Sequence, residues 1–286
     1  MYQIQIPNIL RARGFRLYLA DSGKHTGQAR LVDLWLNGGA AVLGHTPPNL
    51  LRELKNAVNR GLYAPYPHFT ESRFLKALSK LFPQRSFRLY AAPPQELTLY
   101  TRTTDLHGLN GFTRIKEESD KKSQVNFEIW RPFVDPANPF FVDSTPVLVP
   151  VIPGIQTWRD GLPLGLCVVA ASSEDLLTRL PPGDMLSPIL LAVATRGVYD
   201  LLAAKERAKL ALPRIKKALR ENSTKKEWRQ NGIYLTLKHD PTPEEWAAMF
   251  HQFLDAGFLL PPTSSHPLIL PGEMSDGEEA KLAKVL

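Results

Sequence analysis

The longest apolar run in the chain, residues 164–171, is only strand-sized. It falls far short of the roughly 20 residues that a bilayer-crossing helix needs, so the chain must bury its apolar residues in a core of its own. With 286 residues there is enough material for one large or two ordinary domains. Short strand-like and helix-like patterns follow one another along it. Residues 15–19 alternate as a strand, residues 21–24 read as a turn, and residues 30–35 read as the hairpin partner. Pro47 and Pro48 precede a helix carrying Leu50, Leu51, Leu54 and Val58, and a second helix is expected over 71–81. Strands are expected over 88–90, 97–100, 125–130 and 146–153, with the polar stretch 117–122 as an exposed loop. Pro188 opens a further helix, and residues 233–237 and 258–260 read as strands. Thr242 with Glu245 marks a helix start that Gly257 stops, and residues 275–286 form a terminal helix.

Charge and cysteine content narrow the function classes. The net charge of +7 and pI near 9.4 would suit an acidic partner, but the basic residues are scattered among acidic ones. In the densest basic stretch, 205–229, Leu210, Leu212, Ile215 and Leu219 suit one face of an amphipathic helix. That argues for a solvated face and against nucleic acid. The seven histidines lack ligand-like spacing, so no metal is expected. Cys167 is the single cysteine, lies in an apolar run, and is expected as a buried core thiol in a cytoplasmic protein. The N-terminus, Met1-Tyr2-Gln3-Ile4-Gln5-Ile6-Pro7, lacks the pattern of a signal peptide, and no membrane segment is expected.

Three separated segments resemble one enzyme family. The first runs from Arg11 to about Phe82 and holds Arg13-Gly14-Phe15-Arg16-Leu17-Tyr18-Leu19 and Asn37-Gly38-Gly39-Ala40-Ala41-Val42-Leu43-Gly44-His45-Thr46-Pro47; the second runs from about Gly154 to Leu202 and opens with Gly154-Ile155-Gln156-Thr157-Trp158-Arg159-Asp160-Gly161-Leu162-Pro163-Leu164-Gly165; the third is Met249 through Leu260-Pro261-Pro262-Thr263-Ser264. Together and in this order they resemble class III, fold-type I aminotransferases, which depend on pyridoxal phosphate (PLP), and among them the glutamate-1-semialdehyde aminomutases. The resemblance implies an α/β fold with a central sheet, here reduced, and a smaller α+β domain built from both chain ends. It divides the chain into an N-terminal segment 1–82, a reduced large domain 83–205 and a C-terminal small domain 206–286. It also implies assembly as a homodimer, or as a heteromer with a class III relative.

The departures from that family bear on chemistry. Counting back seven residues from Pro163 in the Gly-x-Pro-x-Gly run, where the family has its Schiff-base lysine, lands on Gln156. An amide cannot condense with an aldehyde or shuttle protons as an amine does. The phosphate-holding glycine loop is not recognisable, and His107-Gly108-Leu109-Asn110-Gly111 reads as a turn. Pro150 falls near the carboxylate expected to pair with the ring nitrogen, with Asp143 as the nearest upstream acid. The strand ending Ile129-Trp130-Arg131-Pro132 resembles one that ends in Glu-Pro, and Asp184 in the 183–188 turn stands where a phosphate-binding threonine is expected. The expectation is therefore an aminotransferase-like protein without PLP catalysis, acting as a binding or assembly module, with no catalytic residue, no identified cofactor-binding residues and no cofactor. The alternative is an active PLP-dependent aminotransferase or aminomutase using another lysine, with Lys24, Lys55, Lys76 and Lys80 as N-terminal candidates. A third course, new chemistry on the old pocket, would draw on Asp33, His45 or Arg159. Shortening of the cofactor part is expected to leave Trp130, Phe133, Phe140 and Phe141 in need of cover by a partner, the alternative being that the short 84–150 region folds back and covers them within one chain.

Overall fold

The computed structural model describes residues 4–20, 30–99, 125–135, 137, 138, 140, 145–159, 162–204, 212–221 and 228–286. A central sheet carries β4 (Ser86–Tyr90), β5 (Leu97–Leu99), β6 (Val125–Trp130), β7 (Val147–Pro150) and β10 (Cys167–Ala171) in the order β4-β10-β7-β6-β5. β5, β6 and β7 run parallel, whereas β10 is antiparallel to both β4 and β7. Every residue of β7 and β10 is buried, because apolar layers cover both faces of these central strands. On one side Leu148, Val168 and Ala170 share a cluster with Phe74 and Leu78 of α2 (Thr70–Leu81) and with Leu191, Ala194 and Val198 of α4 (Pro188–Ala203). On the other side Val147, Val149, Cys167, Val169 and Ala171 join Leu177 of α3 (Glu174–Thr178). The strand-sized apolar run thus spans the middle of the core. α1 (Pro48–Asn59) packs on α4. In α4, Gly197 lets the helix touch the chain after β7: a Cβ there would collide with the Pro153 carbonyl oxygen.

The chain ends build a second layer. β1 (Ile9–Arg13), β2 (Arg16–Leu19) and β3 (Arg30–Asp33) form an antiparallel meander, and β13 (Phe258–Leu259) joins β3 in parallel. β11 (Trp228–Asn231), β12 (Tyr234–Leu237) and β14 (Leu268–Ile269) make a small antiparallel sheet. α6 (Pro243–Asp255) and α7 (Asp276–Val285) each open with a capping box, Thr242 with Glu245 and Ser275 with Glu278. Arg16 donates Nε and Nη2 to Glu278 at 2.8 and 2.7 Å, tying β2 to α7. Glu279 accepts the Arg214 and Ile215 amides and so caps α5 (Pro213–Glu221).

Several expectations shift. Of the basic stretch 205–229 the described residues give a helix over Pro213–Glu221, with Ile215 buried and Lys216 and Lys217 exposed, and Trp228 and Arg229 enter β11; residues 205–211 and 222–227 lie outside the described residues. The 154–165 run is a hairpin of β8 (Thr157–Arg159) and β9 (Leu162–Leu164), with Pro163 paired to Trp158. Trp130 and Phe133 do not await a partner's cover: both are buried within the chain, with Phe140 packed 6.0 Å from Phe133. Phe141, the turn 21–24 and the polar stretch 117–122 lie outside the described residues.

Candidate functional site

Open α/β sheets bind ligands beyond the carboxyl ends of their parallel strands, and here that edge meets a strained turn. Leu36, Asn37 and Gly38 follow one another at φ 48°, 50° and 66°, all left-handed. Asp33 secures this turn: Oδ1 accepts the Trp35 and Leu36 amides at 2.8 and 3.0 Å, and Oδ2 meets His45 Nε2 at 2.9 Å. The His45 amide donates to the Gly14 carbonyl at 2.8 Å. Asp33 and His45 are therefore engaged in holding the turn. Gly38 is required by close approach as well as conformation, since a Cβ would fall 2.6 Å from Trp158 Cγ.

Gln156 is wholly buried beside this turn. Its Oε1 accepts the Ile152 amide at 2.8 Å and the Trp158 indole N–H at 3.2 Å. Its Nε2 donates to the Leu166 carbonyl at 2.9 Å, with a longer contact of 3.4 Å to the Pro150 carbonyl. The Gln156 carbonyl accepts the Asn37 side-chain amide at 2.9 Å. A glutamine side chain has two donors and two acceptor lone pairs, and all four are engaged.

Arg131 follows β6 directly and is 2% exposed. Its Nη1 donates to the Gly38 carbonyl at 2.6 Å, and its guanidinium lies 5.6 Å from the Trp158 ring and 6.0 Å from the Tyr234 ring. Burial pushes the Arg131 pKa down to about 10, opposed by the Tyr234 hydroxyl, so it stays charged at neutral pH. His266 stands edge-on to Trp158 at 6.1 Å, and burial, then the Arg131 charge, pushes it down to about 3. It is therefore a neutral imidazole. Tyr234 donates its hydroxyl to the Pro132 carbonyl at 2.7 Å, and burial raises its pKa.

Other candidates lie elsewhere. Lys55, Lys76 and Lys80 are exposed, with Lys80 over the Tyr199 ring at 5.1 Å. Arg159 belongs to β8, and its side chain lies outside the described residues, as do Lys24, Asp143 and the 107–111 run. Asp184 accepts the Ala91 amide at 2.8 Å, which pins the 183–188 turn to the end of β4. Cys167 is buried and its thiol is raised well above the usual range by burial. Among the described residues no group of three or more His, Cys, Asp or Glu is placed to hold a metal, and no helix is long and apolar enough to cross a membrane. Arg131, Trp158, Tyr234 and His266 were not anticipated as a group. The one usable signal was an arginine inside the apolar Ile129-Trp130-Arg131-Pro132 strand end.

The chain has the aminotransferase fold. It matches an ornithine aminotransferase from Plasmodium yoelii at a TM-score of 0.66 and 12% identity, covering 99% of this chain and 93% of that one. It also matches an omega-transaminase from Sphaerobacter thermophilus at a TM-score of 0.65 and 11% identity, covering 98% and 89%, and a transaminase with PLP bound at 0.67 and 11%, covering 98% and 89%. In sequence the chain is 27% identical over 308 residues to an uncharacterized protein of Treponema pallidum, covering 92% of this chain and 88% of that one. An uncharacterized protein of Borreliella burgdorferi is 26% identical over 279 residues, covering 96% and 87%. No protein-family profile matches the chain.

The side chains described around Gln156 do not fit a covalently held PLP. Among the described residues no lysine shares a hydrogen bond or ring contact with Gln156, Arg131 or Trp158, the Gln156 amide is not nucleophilic, and its hydrogen-bonding capacity is spent within the fold.

Proposed function

We propose that this chain is an aminotransferase-like protein, of the glutamate-1-semialdehyde aminomutase kind, that has lost PLP-dependent catalysis and acts as a binding or assembly module. Gln156 carries this reading: it stands where the sequence resemblance expects the Schiff-base lysine, and its amide is bonded on every side. Replacing an amine by a satisfied amide removes covalent capture of the cofactor while keeping the turn, β7 and the β8–β9 hairpin joined. The division at 82/83 and 205/206 and a cytoplasmic location go with this reading.

Assembly belongs to it too, with a second copy of this chain as the partner, or else an intact class III relative. Tyr63, Tyr66 and Phe69 in the α1–α2 connection are 63%, 61% and 54% exposed, and Met185 is 54% exposed. Ser187 donates to the Leu62 carbonyl at 3.4 Å, so the 183–188 turn lies against that connection. Exposed apolar side chains grouped in this way suit an interface.

The second reading, an active PLP enzyme using another lysine, is favoured by fold neighbours that are aminotransferases, one of them with PLP bound. One experiment separates the two. The purified protein is mixed with PLP, its absorbance recorded, and borohydride added before peptide mapping. We expect no aldimine band and no reduced adduct; a lysine fixed stoichiometrically to PLP selects the second reading.

A further inference from the structure

A fully buried cation normally sits against a counter-charge, because leaving it unpaired costs several kcal/mol. Arg131 breaks that rule. Among the described residues it forms no ion pair, and only Nη1 is hydrogen-bonded, to Gly38. Nε and Nη2 are buried without a partner. The guanidinium cannot escape by losing its proton. Trp158 and Tyr234 stabilise its charge but leave those in-plane N–H groups unanswered.

The two orphaned atoms have a meaning together. Nε and Nη2 form one edge of the guanidinium plane, the fork whose parallel N–H bonds match the two oxygens of a single oxyanion. Arg131 lies just beyond β6, and β6 pairs in parallel with β7, so the fork is at the sheet edge where ligands collect. His266, Trp158 and Tyr234 surround it with neutral groups, and no carboxylate competes for it through an ion pair among the described residues.

We propose that Arg131 is the anchor of a small-oxyanion site: Nε and Nη2 receive two oxygens of a compact carboxylate or inorganic oxyanion while Nη1 remains on Gly38. This deepens the binding-module reading and rests on it only in placing the ligand at the same cluster. The residue's near-complete burial limits the bound group to something compact, such as formate, acetate, bicarbonate or nitrate.

The test uses the full-length protein dialysed into a zwitterionic buffer with chloride as the reference salt at constant ionic strength. Thermal unfolding is followed against formate, acetate, bicarbonate and nitrate. We expect a saturable rise in Tm with at least one oxyanion and not with chloride. Arg131→Lys keeps the charge but loses the fork, and should weaken the effect at least about tenfold, the loss of one charge-assisted hydrogen bond. Because that variant can fail to fold, crystals of the unaltered protein are also soaked in the strongest anion, with density bridging Nε and Nη2 as the expected result. A response to the two carboxylates alone identifies an organic acid as the natural occupant, and a response to bicarbonate or nitrate an inorganic one. Tm values that are the same in all four oxyanions as in chloride, or density showing water alone at Nε and Nη2, overturn the proposal. A lysine reduced onto PLP in the parallel borohydride experiment sinks the loss of catalysis and leaves the oxyanion result untouched.

Discussion

Gln156 Oε1 takes the amide hydrogen of Ile152 at 2.8 Å, so a side chain supplies the partner that the backbone lacks just past the end of β7. Gln156 Nε2 donates to the carbonyl of Leu166, the residue before β10. The side chain thereby forms a joint between the chain just past β7 and the residue that precedes β10. Buried donors and acceptors stripped of such a joint each cost about 1–3 kcal/mol.

Gln156→Lys should therefore destabilise the fold and restore nothing. It leaves the Ile152 and Trp158 N–H groups without an acceptor and puts an ammonium in a fully buried place. The expected loss is on the order of 3–5 kcal/mol, read as a fall in the urea midpoint. Amino-group transfer by the single variant would show that a competent pocket survives.

Gly38→Ala should be nearly as harmful for a different reason. The new methyl meets Trp158 at 2.6 Å and the backbone stays at φ 66°. Moving Trp158 breaks its bond to Gln156 and its packing on Arg131. A loss of about 2–4 kcal/mol is expected, with a changed tryptophan fluorescence spectrum as an independent sign.

Acid should loosen the tie between β2 and α7. The Arg16 guanidinium, through its hydrogen bonds, holds Glu278 down to about 2 from an ordinary 4.5. A carboxylate depressed in the folded state adds stability that is complete above its unfolded value and fades as pH falls toward the folded one. The contribution is thus present above pH 4.5 and drains away between there and pH 2. Arg16 is raised by the same contact, so its share of the tie is lost only in strongly alkaline solution. Glu278→Gln should cost on the order of 1–3 kcal/mol at pH 7 and flatten the acid decline. A variant whose stability falls with acid as steeply as the parent's would refute the assignment.

The Thr242–Glu245 capping box and the strand-sized run were legible because each is a local arrangement: Thr242 and Glu245 sit three residues apart, and residues 167–171 make one strand. The Arg131 cluster was not. It draws on Gly38, Trp158, Tyr234 and His266, contributed by the turn after β3, the β8–β9 hairpin, β12 and the loop before β14, and no spacing in the sequence links them. The strands β1 and β14 were missed for another reason. β1 is largely exposed and mixes arginine with apolar residues, and β14 has only two residues, too few to show a period.

Self-association should be visible in solution. Light scattering at micromolar concentration is expected to give about twice the 32.1 kDa chain mass. Changing Tyr63, Tyr66 and Phe69 to serine together should return it toward one chain without altering the far-ultraviolet spectrum. A mass of one chain for the unaltered protein at every concentration means that these side chains face solvent for some other reason.

The Arg16–Glu278 tie joins positions 262 residues apart in the sequence. On a ribosome adding about 5–20 residues each second, Arg16 emerges roughly 15–50 s before the carboxylate it binds. For that interval β3 also lacks its parallel neighbour β13, leaving a strand edge open. The early hairpin must therefore wait out synthesis of nearly the whole chain in a sticky state. Holding it apart from other nascent chains becomes a task for the cell's chaperones, and slowing translation should raise the insoluble fraction.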